Sequence, residues 1–156
     1  MLKINLICMG DIKEKYLKDA ISEYSKRLSK FINLNIIELK ENIATSNNEK
    51  DILTALEKDA DQISKYLKGH IICLDINAKQ MDSVEFSKFL ENLTLKTGEI
   101  SFIIGASNGL SDRIKTKSND KISFSKMTFP HQLMRVIFLE QLYRAFTILN
   151  NIAYHK

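Results

Sequence analysis

The chain has 156 residues, 44% hydrophobic and 27% charged, a balance that excludes a disordered or fibrous protein and fits a single folded domain, residues 1–156. Its formal net charge of +4 and pI near 9.0 tolerate a polyanionic partner but fall short of the basic density of proteins that bind nucleic acid by charge alone. No run approaches the roughly 20 apolar residues of a membrane span, and the opening MLKINLICMG is interrupted too soon for a signal peptide, so a cytoplasmic location away from membranes is expected.

Leu2 to Met9 is a short apolar run closed by Gly10-Asp11 and reads as a strand. From Ile12 to Phe31, the positions Tyr16, Ala20, Tyr24, Leu28 and Phe31 keep helical spacing. Leu34 to Leu39 reads as a second strand, and the polar stretch Glu41 to Asn48 as a loop. Within Glu49 to Leu67 the apolar residues Ile52, Leu53, Leu56, Ala60, Ile63 and Leu67 predict a long amphipathic helix, ended by Gly69. His70 to Ile76 is a β-branched strand candidate, Ser83 to Leu95 is helical, and Ile100 to Gly105 is another apolar strand. Continuous apolar strands alternating with helices predict an α/β fold, a largely parallel sheet with helices on both faces. Cys8 and Cys73 each sit in such a run without a CxxC partner or a histidine ligand pattern, so both are expected to be buried free thiols, and no metal is expected.

In sheets of this class ligands bind beyond the carboxyl ends of the strands. Three segments leave those ends: Asp75-Ile76-Asn77, the turn Gly105 to Gly109 (GASNG), and Ser123 to Pro130. The middle one lacks both the GxGxxG spacing and the lysine and hydroxyl of a phosphate loop, which disfavours P-loop nucleotide binding. The last one presents small hydroxyls between Phe124, Met127 and Phe129, a composition able to wrap an adenine ring with backbone groups at its edge.

The segment Lys126 to Lys156 concentrates the chain's rare chemistry: its only proline, Pro130, with His131, Arg135, Arg144 and His155. Pro130 opens a helix whose stretch from Leu133 to Leu149 is apolar around almost its whole circumference, which predicts burial on more than one side and a homodimer packed through it. Arg135 and Arg144 lie nine positions apart, roughly 180° around the helix, so they cannot both face one pocket of one subunit. Glu140, four residues before Arg144, gives that arginine an alternative role in a helix salt bridge.

The combination FIIGASNGL, SFSKMTFPHQLMRVIFLEQLYRAF and the terminal AYHK, with the opening ICMGDIKEKYLKDAISEYSKRL, closely resembles the ribosomal large-subunit methyltransferase H family, within the SPOUT class of S-adenosylmethionine-dependent RNA methyltransferases. The resemblance covers the whole chain and is strongest in the final third. One departure is Ala106, where many relatives carry a second glycine; it asks for a negative φ there or mild strain. The resemblance implies a SPOUT-type sheet with a C-terminal trefoil knot and a homodimer. It also implies methyl transfer to N3 of a pseudouridine in 23S rRNA on the assembled ribosome.

Carried over residue by residue, the family's cofactor contacts fall on Leu74, Gly105, Phe124, Ser125, Lys126, Met127, Thr128 and Phe129. Its RNA-facing and catalytic positions match His131, Arg135, Arg144, Tyr154 and His155. On this reading His155 or Tyr154, in a tail able to close over the pocket, positions the base or accepts its proton. Arg135 and Arg144 suit phosphate clamping because a guanidinium stays protonated, and Lys126 could serve likewise. Two other functions fit the same residues: a non-catalytic ribosome- or RNA-binding dimer, and a SPOUT enzyme acting on tRNA.

Overall fold

The computed structural model describes residues 1–156. Ten elements follow in order: β1 (Leu2–Met9), α1 (Lys15–Leu28), β2 (Ile32–Leu39), α2 (Glu49–Ser64), β3 (His70–Gln80), α3 (Ser83–Thr94), β4 (Glu99–Ile104), α4 (Asp112–Lys117), β5 (Asp120–Ser123) and α5 (His131–Leu149). The five strands form one sheet, all pairs parallel, in the order β2-β1-β4-β3-β5.

Strand alternation divides the core between the two faces of the sheet. Ile4, Leu6 and Cys8 of β1, with Ile100, Phe102 and Ile104 of β4, pack against α1, α3 and α5. Their neighbours Ile7, Met9 and Ile103 face Ala60 and Ile63 of α2 and Ile114 of α4. Both cysteines are buried and free, and burial pushes the Cys8 thiol up to about 12, so it stays an inert apolar filler.

Local signals set the helix starts. The Asn48 side chain accepts the Asp51 N–H at 2.9 Å to cap α2, and Asp82 with Glu85 forms a complete capping box on α3. Pro130 stands just outside α5 as its N-cap, with φ −53°, and its carbonyl takes the Met134 N–H.

Four elements depart from the sequence expectation. The pattern shows neither α4 nor β5, because a helix of six residues with only Ile114 buried and a strand of four are too short to display a period. β3 runs past Ile76 to Gln80, yet Leu74 and Lys79 both pair with Ile122, so residues 75–78 leave the strand and the chain re-enters at the same register. Helix α5 finds much of its burial within one chain. It lies between α1 and α3 and over β4, and buries Phe138, Leu139, Leu142, Ala145, Phe146 and Thr147 completely or nearly so. Burial on more than one side, from which a homodimer is expected, is thus met largely within one subunit. Leu133 stays exposed, and Val136, Ile137 and Ile148 are half-buried. No helix is long and apolar enough to cross a membrane.

Candidate functional site

The exits of β3, β4 and β5 surround a cavity of about 700 Å³ at the carboxyl edge of the sheet. Leu74, Ile104 and Ile122, at the strand ends, line it together with the turn Gly105–Leu110. Phe124, Met127 and Phe129 supply further apolar lining, and His131 and Met134 of the first turns of α5 complete it. Asp75 is the one carboxylate among the lining residues. A groove of similar volume along α2 has Leu53 as its only apolar residue and nothing to hold an aromatic ring.

Gly105 is needed for space, since its φ is not positive. A Cβ there would stand 2.5 Å from the Gly109 carbonyl oxygen and 3.0 Å from Leu110 Cγ. The turn folds back on itself because the Gly109 N–H donates to the Ala106 carbonyl at 2.9 Å, with Gly109 at φ +80°. Ala106 adopts no positive φ, so the alanine costs the turn no left-handed strain.

The β5–α5 loop is held by its own hydroxyls. The buried Ser123 hydroxyl donates to the Ser125 carbonyl at 3.0 Å, and the Ser125 hydroxyl accepts the Met127 N–H at 2.9 Å. Phe124 anchors it to the core, with its ring 5.6 Å from Phe86 and 5.9 Å from Phe138, centre to centre. Thr128 and Phe129 also line the cavity, whereas Lys126 is exposed and lies outside the lining. Met127 leaves most of its side chain in solvent at 75% exposure.

Arg135 is not where an RNA contact needs it. The residue is 1% exposed, donates to Glu38 Oε2 at 2.7 Å and to the Gly10 carbonyl at 3.1 Å, and has its Nε buried without a partner. It is a strut between α5 and the ends of β1 and β2, which corrects the phosphate-clamp expectation. The same Glu38 oxygen accepts the Ile12 N–H at 3.2 Å, so the strut also fixes the β1–α1 loop.

The tail docks on the far half of α5. Tyr154 packs edge-on against Tyr143 at 4.9 Å and lies under the Arg144 guanidinium at 4.7 Å. Glu140 accepts from Arg144 Nη2 at 2.5 Å and Nε at 3.1 Å, and from the Tyr154 hydroxyl at 3.1 Å. The alternative sequence role of Arg144, a helix salt bridge, is the one seen in the protomer. About 15 Å of helix separates Met134 at the cavity from Arg144, so the tail does not close over the pocket of its own subunit, contrary to expectation.

Burial and the Glu140 carboxylate push the Tyr154 phenol up to about 12, which leaves it a donor at neutral pH. A folded-state value above the ordinary 10 contributes stability that is fully present below pH 10 and is lost as pH rises through about 12. Alkaline unfolding of Tyr154→Phe, followed by circular dichroism, should therefore lose part of the wild-type slope between pH 10 and 12. An identical slope in both proteins would contradict the raised value of the phenol. Arg144 Nη1 also stands 3.3 Å from His155 Nδ1, which ties the exposed imidazole to the same cluster.

Asp75, Asn77, Ser107, Asn108 and Lys115 line the cavity without having been singled out one by one as site residues. The turn and the excursion were visible as segments. Lys115 was hidden because α4 shows no period. No three His, Cys, Asp or Glu side chains gather in a geometry able to hold a metal.

Comparison with known proteins gives consistent matches. The family model described as "Predicted SPOUT methyltransferase" matches residues 2–155. A ribosomal RNA large subunit methyltransferase H from Fusobacterium nucleatum is 48% identical over 159 residues, covering 99% of this chain and 100% of the relative. The protein of the same name from Caldicellulosiruptor saccharolyticus is 46% identical over 155 residues, covering 98% and 99%. Among solved structures, a Legionella pneumophila protein described as a methyltransferase, with the cofactor SAM bound, superposes with a TM-score of 0.54 over 93% of this chain and 66% of its own. At 16% identity that likeness speaks for the fold alone.

Proposed function

Because the chain belongs to the SPOUT methyltransferase family, together with the ribosomal RNA large subunit methyltransferase H proteins, we propose that it is an S-adenosylmethionine-dependent methyltransferase of large-subunit (23S) rRNA. The acceptor on this reading is N3 of a pseudouridine presented by the assembled ribosome in the cytoplasm. One observation carries it: an apolar cavity at the carboxyl edge of a parallel sheet, closed on one side by a turn too tight for any side chain at Gly105.

The residues present fit the cofactor. About 700 Å³ accommodates a nucleoside with an amino-acid arm, and Leu74, Ile122, Phe124 and Phe129 offer walls to an adenine ring. Backbone groups of Ser125, Met127 and Thr128 border its edge, and Gly105 lets the main chain approach closely. Bound there, S-adenosylmethionine supplies a methyl carbon made electrophilic by its sulfonium, so the protein's task is alignment of the acceptor nitrogen. His131 and the exposed Lys126, beside the cavity, are placed to meet the RNA.

The same reading includes a homodimer packed through the uncovered face of α5, where Leu133, Val136, Ile137 and Ile148 stay partly exposed. In such a dimer the tail carries Tyr154 and His155 to the partner's cavity, where they position the base. The reading also includes a trefoil knot, supported by the return of α5 from edge strand β5 to the middle of the sheet.

Mixing a subunit closed by Gly105→Val with one carrying Tyr154→Ala and His155→Ala should restore about a quarter of the intact sites, since half of the dimers are mixed and each holds one complete site. Activity no greater than that of the parents would put the tail out of the partner's site. His155→Ala alone should lower turnover at saturating ribosome by at least about tenfold. Unchanged turnover would remove it from the site. The acceptor itself is tested by nuclease digestion and mass mapping of treated large-subunit rRNA. One new methyl on a pseudouridine is expected, and a methyl on another nucleoside would contradict the assignment.

A further inference from the structure

Residues 75–78 contribute nothing to the sheet, since Leu74 and Lys79 pair with the same residue of β5. Irregularities of this kind beside binding sites re-aim side chains. This one delivers Asp75 to the cavity wall, its side chain only 12% exposed. One carboxylate oxygen accepts the Asn77 N–H at 3.1 Å, and the other faces Lys115 Nζ at 3.6 Å, beyond hydrogen-bonding distance. A carboxylate has about four acceptor positions, and withdrawing it from water is costly unless they are filled. Asp75 therefore brings unused acceptor capacity to the cavity, with a lysine to counter its charge.

Its place in the fold narrows the ligand group it meets. β3 lies between β4 and β5, so Asp75 stands between the Gly105 turn and the loop of Phe124 and Phe129. An adenosine ligand with its ring against that loop and its far end toward Gly105 passes its ribose across the end of β3. The ribose carries two adjacent hydroxyl donors, spaced to meet the two oxygens of one carboxylate, and a carboxylate beyond a strand end recognises ribose in other nucleotide-binding sheets by the same chemistry. We propose that Asp75 is a specificity-determining residue that accepts hydrogen bonds from the ribose hydroxyls of the adenosine cofactor. This rests on the reading of the cavity as an S-adenosylmethionine site. Lys115, which also lines the cavity, counters the charge of the carboxylate.

Calorimetric titration with S-adenosylmethionine, 5′-methylthioadenosine and the 2′-deoxy analogue of the latter tests the proposal without relying on turnover. In the wild type, loss of the hydroxyl should weaken binding about tenfold to a hundredfold. Asp75→Ala should weaken 5′-methylthioadenosine by a similar factor and make it indistinguishable from the deoxy analogue. Asp75→Asn, which keeps one acceptor and the size of the side chain, should fall between. The proposal is overturned if Asp75→Ala discriminates the two nucleosides as well as the wild type does. It is equally overturned if the substitution weakens only S-adenosylmethionine, which would place the carboxylate on the ammonium of the amino-acid arm. Wild-type protein that binds none of the three would remove the cofactor reading and this inference together, whereas wild-type binding that Asp75→Ala leaves intact removes the inference alone.

Discussion

Replacing Gly105 with valine is expected to weaken S-adenosylmethionine binding by at least about a hundredfold, the equivalent of roughly 3 kcal/mol and of two or so lost hydrogen bonds. The collision begins at the first added atom, 2.5 Å from the Gly109 carbonyl oxygen and 2.7 Å from its carbon. Both are main-chain atoms of a turn already closed by the Gly109 N–H to Ala106 bond, so neither can swing away as a side-chain tip would. The turn must open, and the backbone that borders the cavity moves with it. Gly98→Ala is the matching control, because a Cβ there meets nothing within 4 Å. Calorimetry on both variants decides the matter. Unchanged affinity in Gly105→Val would place the cofactor elsewhere.

Phe138→Ala should cost about 3–5 kcal/mol and lower the melting temperature by on the order of 10 °C. The ring is fully buried, 4.7 Å from Phe102 in the sheet and 5.9 Å from Phe124, against which it stacks. Those two contacts join the core to the binding loop, so the same substitution should also weaken S-adenosylmethionine several-fold. Leu28→Ala separates the two effects. Leu28 is equally buried but ends α1 just before β2 begins, at the opposite edge of the sheet, and its removal should lower stability without touching cofactor affinity. Thermal melts paired with titrations of both variants check this, and equal losses of affinity would break the proposed link between Phe138 and the loop.

How far the sequence reached depends on the kind of signal each feature leaves. β1 and β4 were legible because strands buried on both faces carry consecutive apolar residues, here Leu6 to Met9 and Phe102 to Ile104, and α2 because Ile52, Leu56, Ala60 and Ile63 keep one stripe. The return of β3 to the sheet after Asp75-Ile76-Asn77 was not legible, since pairing of Leu74 and Lys79 with one residue of β5 is a property of the sheet and not of any local pattern. Arginines inside an apolar helix invited a functional reading for both. For Arg144 the partner four residues away was visible, but Glu38, which neutralises Arg135, lies 97 positions distant and only folding brings it near. Nor was the place of the tail legible, because the length of α5 carries Tyr154 and His155 away from the cavity of their own subunit.

The proposed reaction carries a methyl group from the cavity to large-subunit rRNA. Its most direct test gives the wild-type protein labelled S-adenosylmethionine together with unmodified assembled ribosomes, isolated large subunits or bulk tRNA. Label in large-subunit rRNA, greatest with assembled ribosomes and lost in Gly105→Val, is the predicted result. Label confined to tRNA, or none with any substrate from a protein that nevertheless binds the cofactor, would contradict it.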